Sequence, residues 1–320
     1  MDSGKELDGW IPIKLYNDDN EKSCRWLYVG NKHFNEPFFD ETISACRQLP
    51  QNGHLKRSMS SIDVLPALAE TNDSIEPTAF IFHVSRCGST LLSQMLSLQK
   101  SNIVLSEVPF FDDLLRYGKK NNCLPQTLPI VKAAIDLYST KRNAEYKNVF
   151  IKTDSWHIHF YNELRDLYPT TPFFFLYRKP DEVIQSQQKK RGMQAIPNLI
   201  EANIFGFNAT EISTKPLDEY MGMVVESYLE QFYTILQKDK NCFVLNYHSG
   251  AMDMINTIAE KTALQINEGD YSFMEQRAGY HAKFPEQLFS EEKRIEAIPS
   301  YLKNSFELYE MIEEMRLKSV

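Results

Sequence analysis

Residues 80–92 read FIFHVSRCGSTLL, and this stretch decides the predicted fold. Its first half, FIFHV, has the continuous apolar character of a buried strand, and apolar residues recur at helical spacing after Thr90. Between the two lies a turn of small residues, with Ser89 and Thr90 where the helix would begin. A helix start presents unpaired N–H groups and a partial positive charge, which suit an anion such as a phosphate. The stretch therefore predicts a strand, an anion-binding turn and a helix.

The same turn departs from the nucleotide-triphosphate loop G-x-x-x-x-G-K-[ST] in two places. When Gly88 is aligned with the second glycine, His83 stands for the first glycine and Ser89 for the lysine. That lysine normally neutralises the β and γ phosphates, and the only cation within this turn is Arg86. The pattern favours a phosphate-binding turn whose positive charge comes from Arg86 instead of from the usual lysine. The alternative interpretation is an ordinary capped helix after a strand, with Arg86 in solvent.

Composition limits the classes of protein and partner that need to be considered. The chain has 320 residues, of which 42% are hydrophobic and 24% charged, as in an ordinary globular protein. Its formal net charge of −8 argues against a nucleic-acid-binding protein, which usually carries a basic footprint. Any anion site must therefore be a local basic pocket in an acidic molecule.

Targeting and redox features predict a cytoplasmic protein without a membrane partner. The N-terminal MDSGKELDGW lacks the basic and then apolar pattern of a signal peptide, and runs such as FFFLY are too short to span a bilayer. Five scattered cysteines without a C-x-x-C motif predict reduced thiols rather than disulfides or a zinc site. They are Cys24, Cys46, Cys87, Cys123 and Cys242.

Strand and helix patterns alternate after residue 76, which predicts an α/β fold. The turn-like TNDSIEPT (71–78) is the candidate boundary between an accessory segment, 1–76, and a domain, 77–320. Alternation of this kind implies a parallel sheet with helices on both faces and ligands beyond the carboxyl ends of the strands. The strand patterns cover residues 79–84, 103–105, 149–152, 173–177 and 243–247, and the helical patterns cover 90–99, 128–141, 181–190 and 217–238.

A second strand end carries a further candidate for an anion contact. In FFFLYRKPDEVIQSQ, Arg178 follows the strand, Pro180 opens the next helix, and Ser186 lies eight residues after the arginine (186 − 178 = 8). The simplest interpretation is a well-started helix beside a surface arginine. Because both strands would end at the same edge of a parallel sheet, the two elements together suggest a ligand with two anionic groups.

These two elements resemble the P-loop sulfotransferases, and the resemblance covers about residues 79–285. The family's "[KR]-S-G-[ST]-T" turn, which binds the 5′-phosphosulfate, has its counterpart in residues 86–90, Arg86, Cys87, Gly88, Ser89 and Thr90. Its "R-x-P-x-[DE]-x-x-x-S" element, which binds the 3′-phosphate, is matched by Arg178 and Ser186, and its late "R-x-G" by Arg277 and Gly279. The resemblance implies a three-layer P-loop fold and the cofactor 3′-phosphoadenosine 5′-phosphosulfate.

Sulfuryl transfer to a hydroxyl or amine needs a cation and a general base. A sulfuryl group carries less charge than a phosphoryl group, so fixed donors can replace a metal, and Arg86 is the expected cation. Glu107 is the preferred base, because SEVPFFDDLL (106–115) resembles the "K-E-x-x-F-F-D" segment of heparan-type sulfotransferases, whose glutamate is the base. Phe110 and Phe111 would desolvate its carboxylate.

The segment KTDSWHIH (152–159) offers alternatives for the base. It resembles the "K-T-H" of cytosolic sulfotransferases, with Asp154 at the position of their catalytic histidine. His157 alternates with His159, as residues on one side of a strand would. Asp154 and His157 are therefore the other candidate bases.

Two other functions compete with a sulfotransferase that acts on a small-molecule or soluble acceptor. One is a P-loop kinase. Ser89 at the position of the loop lysine argues against a kinase, and so does Lys152-Thr153 before Asp154, because a magnesium site there would need an apolar strand. The other is a non-catalytic nucleotide-sensing module, which only the presence of candidate bases disfavours. The sequence predicts no metal at the site.

Overall fold

A computed structural model describes residues 7–18, 21–53, 58–280 and 298–318 of the chain. Its strands are β1 (Trp10–Asp18), β2 (Glu21–Tyr28), β3 (Met59–Ser61), β4 (Ala79–His83), β5 (Asn102–Ser106), β6 (Asn148–Lys152), β7 (Phe173–Tyr177) and β8 (Cys242–Asn246). Its helices are α1 (Phe39–Cys46), α2 (Leu65–Glu70), α3 (Ser89–Ser97), α4 (Pro109–Lys120), α5 (Leu124–Tyr138), α6 (Tyr161–Leu167), α7 (Pro180–Lys189), α8 (Ala209–Ile212), α9 (Leu217–Leu236), α10 (Ala251–Thr262), α11 (Glu268–Ala278) and α12 (Lys303–Lys318).

The fold is α/β, as the alternating patterns predicted. Five strands form a parallel sheet in the order β5-β6-β4-β7-β8, flanked by helices. The five predicted strands are confirmed to within one residue at each end. They are identifiable from sequence because each is a short run of apolar residues, and such runs are typical of strands buried on both faces.

The chain divides into two compact units. The first comprises Met1–Thr78 and Ser93–Lys152, and the second Ala79–Leu92 and Thr153–Val320. The division into an accessory segment, 1–76, and a domain, 77–320, stays a prediction.

Aromatic side chains build the core of the second unit. Strands β4 and β7 pair in parallel register, with Phe80 opposite Phe173 and Phe82 opposite Phe175. These four rings are fully buried, and Phe175 stacks on Phe232 of α9 with ring centroids 4.7 Å apart. Large buried rings contribute most of the apolar area of such a core. The strand ends that carry the candidate site therefore adjoin a well-packed aromatic core.

The first unit contains a three-stranded antiparallel sheet, β1-β2-β3, which the sequence predicted only at residues 26–29. Pro12 obscured β1, because proline cannot donate a ladder hydrogen bond and is excluded from central strands. Among the described residues β1 is an edge strand paired with β2, and its register shifts between Pro12 and Lys14. A proline is tolerated at such an irregular edge.

Helix positions agree with the predicted patterns better than helix ends do. The helix predicted at 128–141 is α5, which begins four residues earlier, because Pro125 occupies its first turn while Pro129 is tolerated inside it. The helices α2, α4, α6, α8, α10 and α11 were not predicted.

Two other sequence features can be compared with the described residues. Within those residues, every helix is too short or too polar to cross a bilayer. None of the five cysteines, all of which lie within the described ranges, forms a disulfide bond.

Candidate functional site

The turn between β4 and α3 has a left-handed backbone at three of its residues. Ser85, Arg86 and Gly88 have φ angles of 67°, 51° and 86°. Left-handed φ is unfavourable for a serine or an arginine and persists only where the surroundings enforce it. Helical and left-handed residues in succession turn backbone N–H groups towards one concave side, which is the geometry of an anion-binding nest. Helix α3 begins at Ser89, so its N-terminal N–H groups belong to the same turn.

Buried groups on both sides hold this turn in place. The backbone N–H of Ser85 donates to Nδ1 of His83 at 3.1 Å, and Nε2 of His83 lies 3.0 Å from the carbonyl of Thr153. Because Nδ1 accepts, the proton of the neutral ring must be on Nε2, which donates to that carbonyl. The Cys87 thiol is buried and donates to the Leu176 carbonyl at 3.5 Å. Cys87 therefore anchors the turn through its side chain and offers a ligand only its backbone.

Arg178 meets the turn, although it lies 92 residues away in sequence. Its Nη1 donates to the carbonyl of Arg86 at 3.2 Å, and its Nε donates to Glu182 Oε2 at 2.6 Å. The guanidinium carbon lies 4.1 Å from the centre of the Tyr247 ring, within the range of a cation–π contact. His248 Nε2 lies 3.0 Å from the same Glu182 oxygen. The two elements predicted to bind anions therefore form one cluster.

Tyr247 also closes the space above Gly88. A Cβ atom at Gly88 would lie 2.9 Å from Cδ2 and 3.1 Å from Cε2 of the Tyr247 ring. Glycine is therefore required here both by its φ angle and by the close approach of the ring.

The other residues of α3, α7 and the turn that were predicted to bind the cofactor differ in their burial and in their contacts. The Arg86 side chain donates to the carbonyl of Lys190, so it is turned towards the end of α7. Ser186 is half-buried on α7, and no hydrogen bond to its hydroxyl occurs within the described residues. Ser89 is buried at the first position of α3, while Thr90 beside it is half-buried.

Arg277 and Gly279 lie at the C-terminal end of α11. Arg277 Nη1 donates to the carbonyl of Tyr280 at 3.2 Å, and burial lowers the pKa of its guanidinium from the ordinary value. Gly279 has ordinary helical angles, with φ at −75°. The role of this pair stays a prediction, and residues 281–285, which complete the stretch that resembles the family, lie outside the described residues.

The strand alternation expected for His157 and His159 is wrong. Ser155–Phe160 is a 3₁₀ helix that follows Asp154, so the two histidines do not share a face. His157 is buried, its ring is nearly perpendicular to the rings of Trp156 and Phe160, and its Nε2 lies 3.7 Å from Asp154 Oδ2. That distance is within the range of an ion pair but too long for a hydrogen bond.

Glu107 pairs with a buried lysine of the same unit. Its Oε1 lies 2.8 Å from Nζ of Lys152, whose side chain has no exposed surface, and its backbone N–H donates to the Lys152 carbonyl at 2.8 Å. The ammonium lies 4.9 Å from the ring centre of Phe38. The carboxylate therefore faces a buried ammonium, whereas the sequence suggested desolvation by Phe110 and Phe111. Glu107 also has a left-handed backbone, with φ at 54°.

Sequence reasoning missed several polar residues that complete the site of the second unit. Glu182 orients Arg178, and Gln187 and Gln194 contact the turn. Gln187 has no exposed surface and Glu182 only 8%. Glu182 stands at the acidic position of the R-x-P-x-[DE]-x-x-x-S element, whereas the signal for Gln187 was a polar residue on the buried face of a helix, which needs a partner.

Comparison with known proteins finds solved structures of low sequence identity and no match by sequence. No protein-family model matches the sequence, and no curated protein matches it. Similar solved structures include a sulfotransferase from Mycobacterium tuberculosis H37Rv, with a TM-score of 0.40, 10% identity, and coverage of 67% of this chain and 76% of that one. A sulfotransferase from Alicyclobacillus acidocaldarius has a TM-score of 0.37, 13% identity, and coverage of 63% and 94%. At these scores the likeness decides neither fold nor activity, and function depends on the geometry of the turn and its partners.

Proposed function

We propose that the chain is a sulfotransferase that moves a sulfuryl group from 3′-phosphoadenosine 5′-phosphosulfate to a hydroxyl or amine acceptor. One observation carries the proposal. Arg178, which the sequence assigns to the 3′-phosphate, donates to the backbone of Arg86, within the turn that the sequence assigns to the 5′-phosphosulfate. A ligand with anionic groups at both ends fits two anion elements that touch each other.

The residues present fit this cofactor. The left-handed turn and the start of α3 supply backbone N–H groups for the 5′ end, where a Cβ at Gly88 would have no room. Arg178 and Ser186 would hold the 3′-phosphate, and Arg277 with Gly279 would close over the nucleotide. Within the proposed site, Glu182 balances the charge of Arg178 before a ligand arrives.

The chain's own groups would then support transfer in three ways. When bound, 3′-phosphoadenosine 5′-phosphosulfate supplies the sulfuryl group. Arg86 would stabilise the charge that develops at the 5′-phosphate, and to do so its guanidinium must leave the Lys190 carbonyl. The turn would hold the phosphate by fixed backbone donors, which need no reorganisation during the reaction. Glu107 would accept the acceptor's proton, with Asp154 and His157 as the alternative bases.

Replacement of Arg178 tests the assignment of the 3′-phosphate. A charge-assisted arginine contact contributes about 1.5–3 kcal/mol. We therefore expect Arg178→Ala to weaken the binding of adenosine 3′,5′-bisphosphate by at least about tenfold, while the affinity for adenosine 5′-phosphate changes little. Isothermal titration calorimetry with both nucleotides measures this difference.

Arg191→Ala is the matched control, because Arg191 pairs with Asp218 at 2.6 Å instead of with the turn. It should leave both affinities unchanged. Equal losses for the two nucleotides in Arg178→Ala would mean that Arg178 only supports the turn through the Arg86 carbonyl, and the assignment to the 3′-phosphate would be wrong.

The proposal also predicts that nucleotide binding needs no metal. Ser89 stands in place of the loop lysine, and Lys152-Thr153 precedes Asp154 where a magnesium site would need an apolar strand. Adenosine 3′,5′-bisphosphate should therefore raise the melting temperature equally with EDTA and with magnesium. ADP with magnesium should raise it less. A preference for ADP with magnesium, or a loss of the shift in EDTA, would favour a kinase, and binding without transfer of labelled sulfate to any acceptor would leave a nucleotide sensor.

A further inference from the structure

Two buried glutamines hold the side chain of Ser85 in the turn. The hydroxyl of Ser85 accepts from Nε2 of Gln187 at 3.1 Å and from Nε2 of Gln194 at 2.7 Å. Gln187 in turn accepts the backbone N–H of Gly192 at 2.8 Å. The three side chains are nearly inaccessible, with exposures of 8% for Ser85, none for Gln187 and 5% for Gln194. We call Gln187, Gly192 and Gln194 the amide clasp.

The hydrogen bonds of the clasp are selective for the observed conformation. A serine hydroxyl has two acceptor sites, and the two amides occupy both. A change in the backbone at Ser85 would withdraw the hydroxyl and leave two buried amide donors without a partner, which is costly. The clasp therefore opposes relaxation of a residue whose φ angle of 67° is intrinsically unfavourable.

Gly192 supplies the space that the clasp requires. A Cβ atom there would lie 2.6 Å from Oε1 and 2.9 Å from Nε2 of Gln194. The φ angle of Gly192 is −83°, which any residue can adopt, so only the amide of Gln194 requires a glycine. The carbonyl of Lys190, two residues earlier, accepts from Arg86. The segment that follows α7 therefore contacts both of the unfavourable residues of the turn.

We propose that Gln187 and Gln194 are positioning residues that keep the turn in its anion-binding conformation. The inference rests on the proposed function in naming the bound group, the 5′ end of the nucleotide. The two glutamines touch the turn and act through Ser85, so their removal should weaken the binding of the group at the turn and spare the 3′-phosphate.

The test uses the full chain with Gln194→Leu and Gln187→Leu, and calorimetry with three probes. Loss of one neutral hydrogen bond corresponds to about a threefold to tenfold change. Each variant should lose about that factor for adenosine 5′-phosphate and for inorganic phosphate, and adenosine 3′-phosphate should bind as in the wild type. Gln188→Leu is the matched control, because Gln188 is exposed on the same helix and donates to Asp218 at 2.7 Å.

Gly192→Ala provides a second test that removes no hydrogen-bonding group. It displaces only the Gln194 amide, and a selective loss for the 5′-nucleotide would support the clasp even if a leucine variant failed to fold. Normal 5′-phosphate binding in folded Gln194→Leu and Gly192→Ala would overturn the inference. A wild type that binds inorganic phosphate but neither nucleotide would contradict the proposed function alone, and loss of that phosphate in the variants would still support the clasp. A wild type that binds none of the three would overturn both.

Discussion

Gly88→Ala should weaken the binding of adenosine 3′,5′-bisphosphate by about thirtyfold or more while most of the fold survives. Two penalties act at this position. The φ angle of 86° is unfavourable for a residue with a Cβ, at a cost of about 1–2 kcal/mol. The new Cβ would also lie 2.9 Å from the Tyr247 ring, and overpacking typically costs about 1–3 kcal/mol. If the turn relaxes to escape both, its N–H groups no longer converge, so affinity should fall by about thirtyfold or more.

Gly206→Ala is the matched control, because it carries the penalty for a left-handed backbone without the steric one. Gly206 has a similar φ angle of 76°, but a Cβ there would have no neighbour within 4 Å. This variant should lose a little stability, measured by urea unfolding, and no nucleotide affinity. If Gly88→Ala bound the bisphosphate as tightly as Gly206→Ala does, the turn would not be the binding site for the 5′ group.

The features that could be predicted from sequence are those that local patterns determine. Strand β7 is FFFLY, which is apolar throughout, and both of its ends were predicted correctly. The turn at Gly88 was identifiable because a strand, a run of small residues and a helical repeat follow one another within thirteen residues. Such signals depend on backbone propensity and burial and need no knowledge of distant partners.

The features that could not be predicted depend on contacts between distant parts of the chain. Nothing near Gln194 in sequence indicates that its amide reaches Ser85, 109 residues away. The 3₁₀ helix at His157 was mistaken for a strand, because alternating residues in a short segment fit either structure. The sequence did not indicate that the ammonium of Lys152 pairs with Glu107 in the first unit. A strand-end lysine can pair with any nearby carboxylate, so only the fold identifies its partner.

Glu107→Gln should lower turnover by about 10²–10⁴-fold, the usual effect of removing a general base. Glutamine keeps the size of the side chain and cannot accept the acceptor's proton. The affinity for adenosine 3′,5′-bisphosphate should be unchanged, because Glu107 is not among the proposed contacts of the cofactor. Labelled sulfate transfer gives the rate, and calorimetry gives the affinity. The left-handed φ angle of 54° supports a functional role, since strain in a non-glycine residue tends to persist at functional sites.

The pair with Lys152 makes a structural role the main competing explanation. Removal of one partner of a buried ion pair costs up to about 3–5 kcal/mol, and the 22% exposure of the Glu107 side chain reduces that. Glu107→Gln combined with Lys152→Met removes the stranded ammonium and should recover stability without turnover. Asp113→Asn, which breaks the exposed pair with Lys14 at 3.0 Å, controls for the loss of a carboxylate in the same unit. If the double variant regained normal turnover, Glu107 would only neutralise Lys152, and Asp154→Asn and His157→Ala would become the tests of the base.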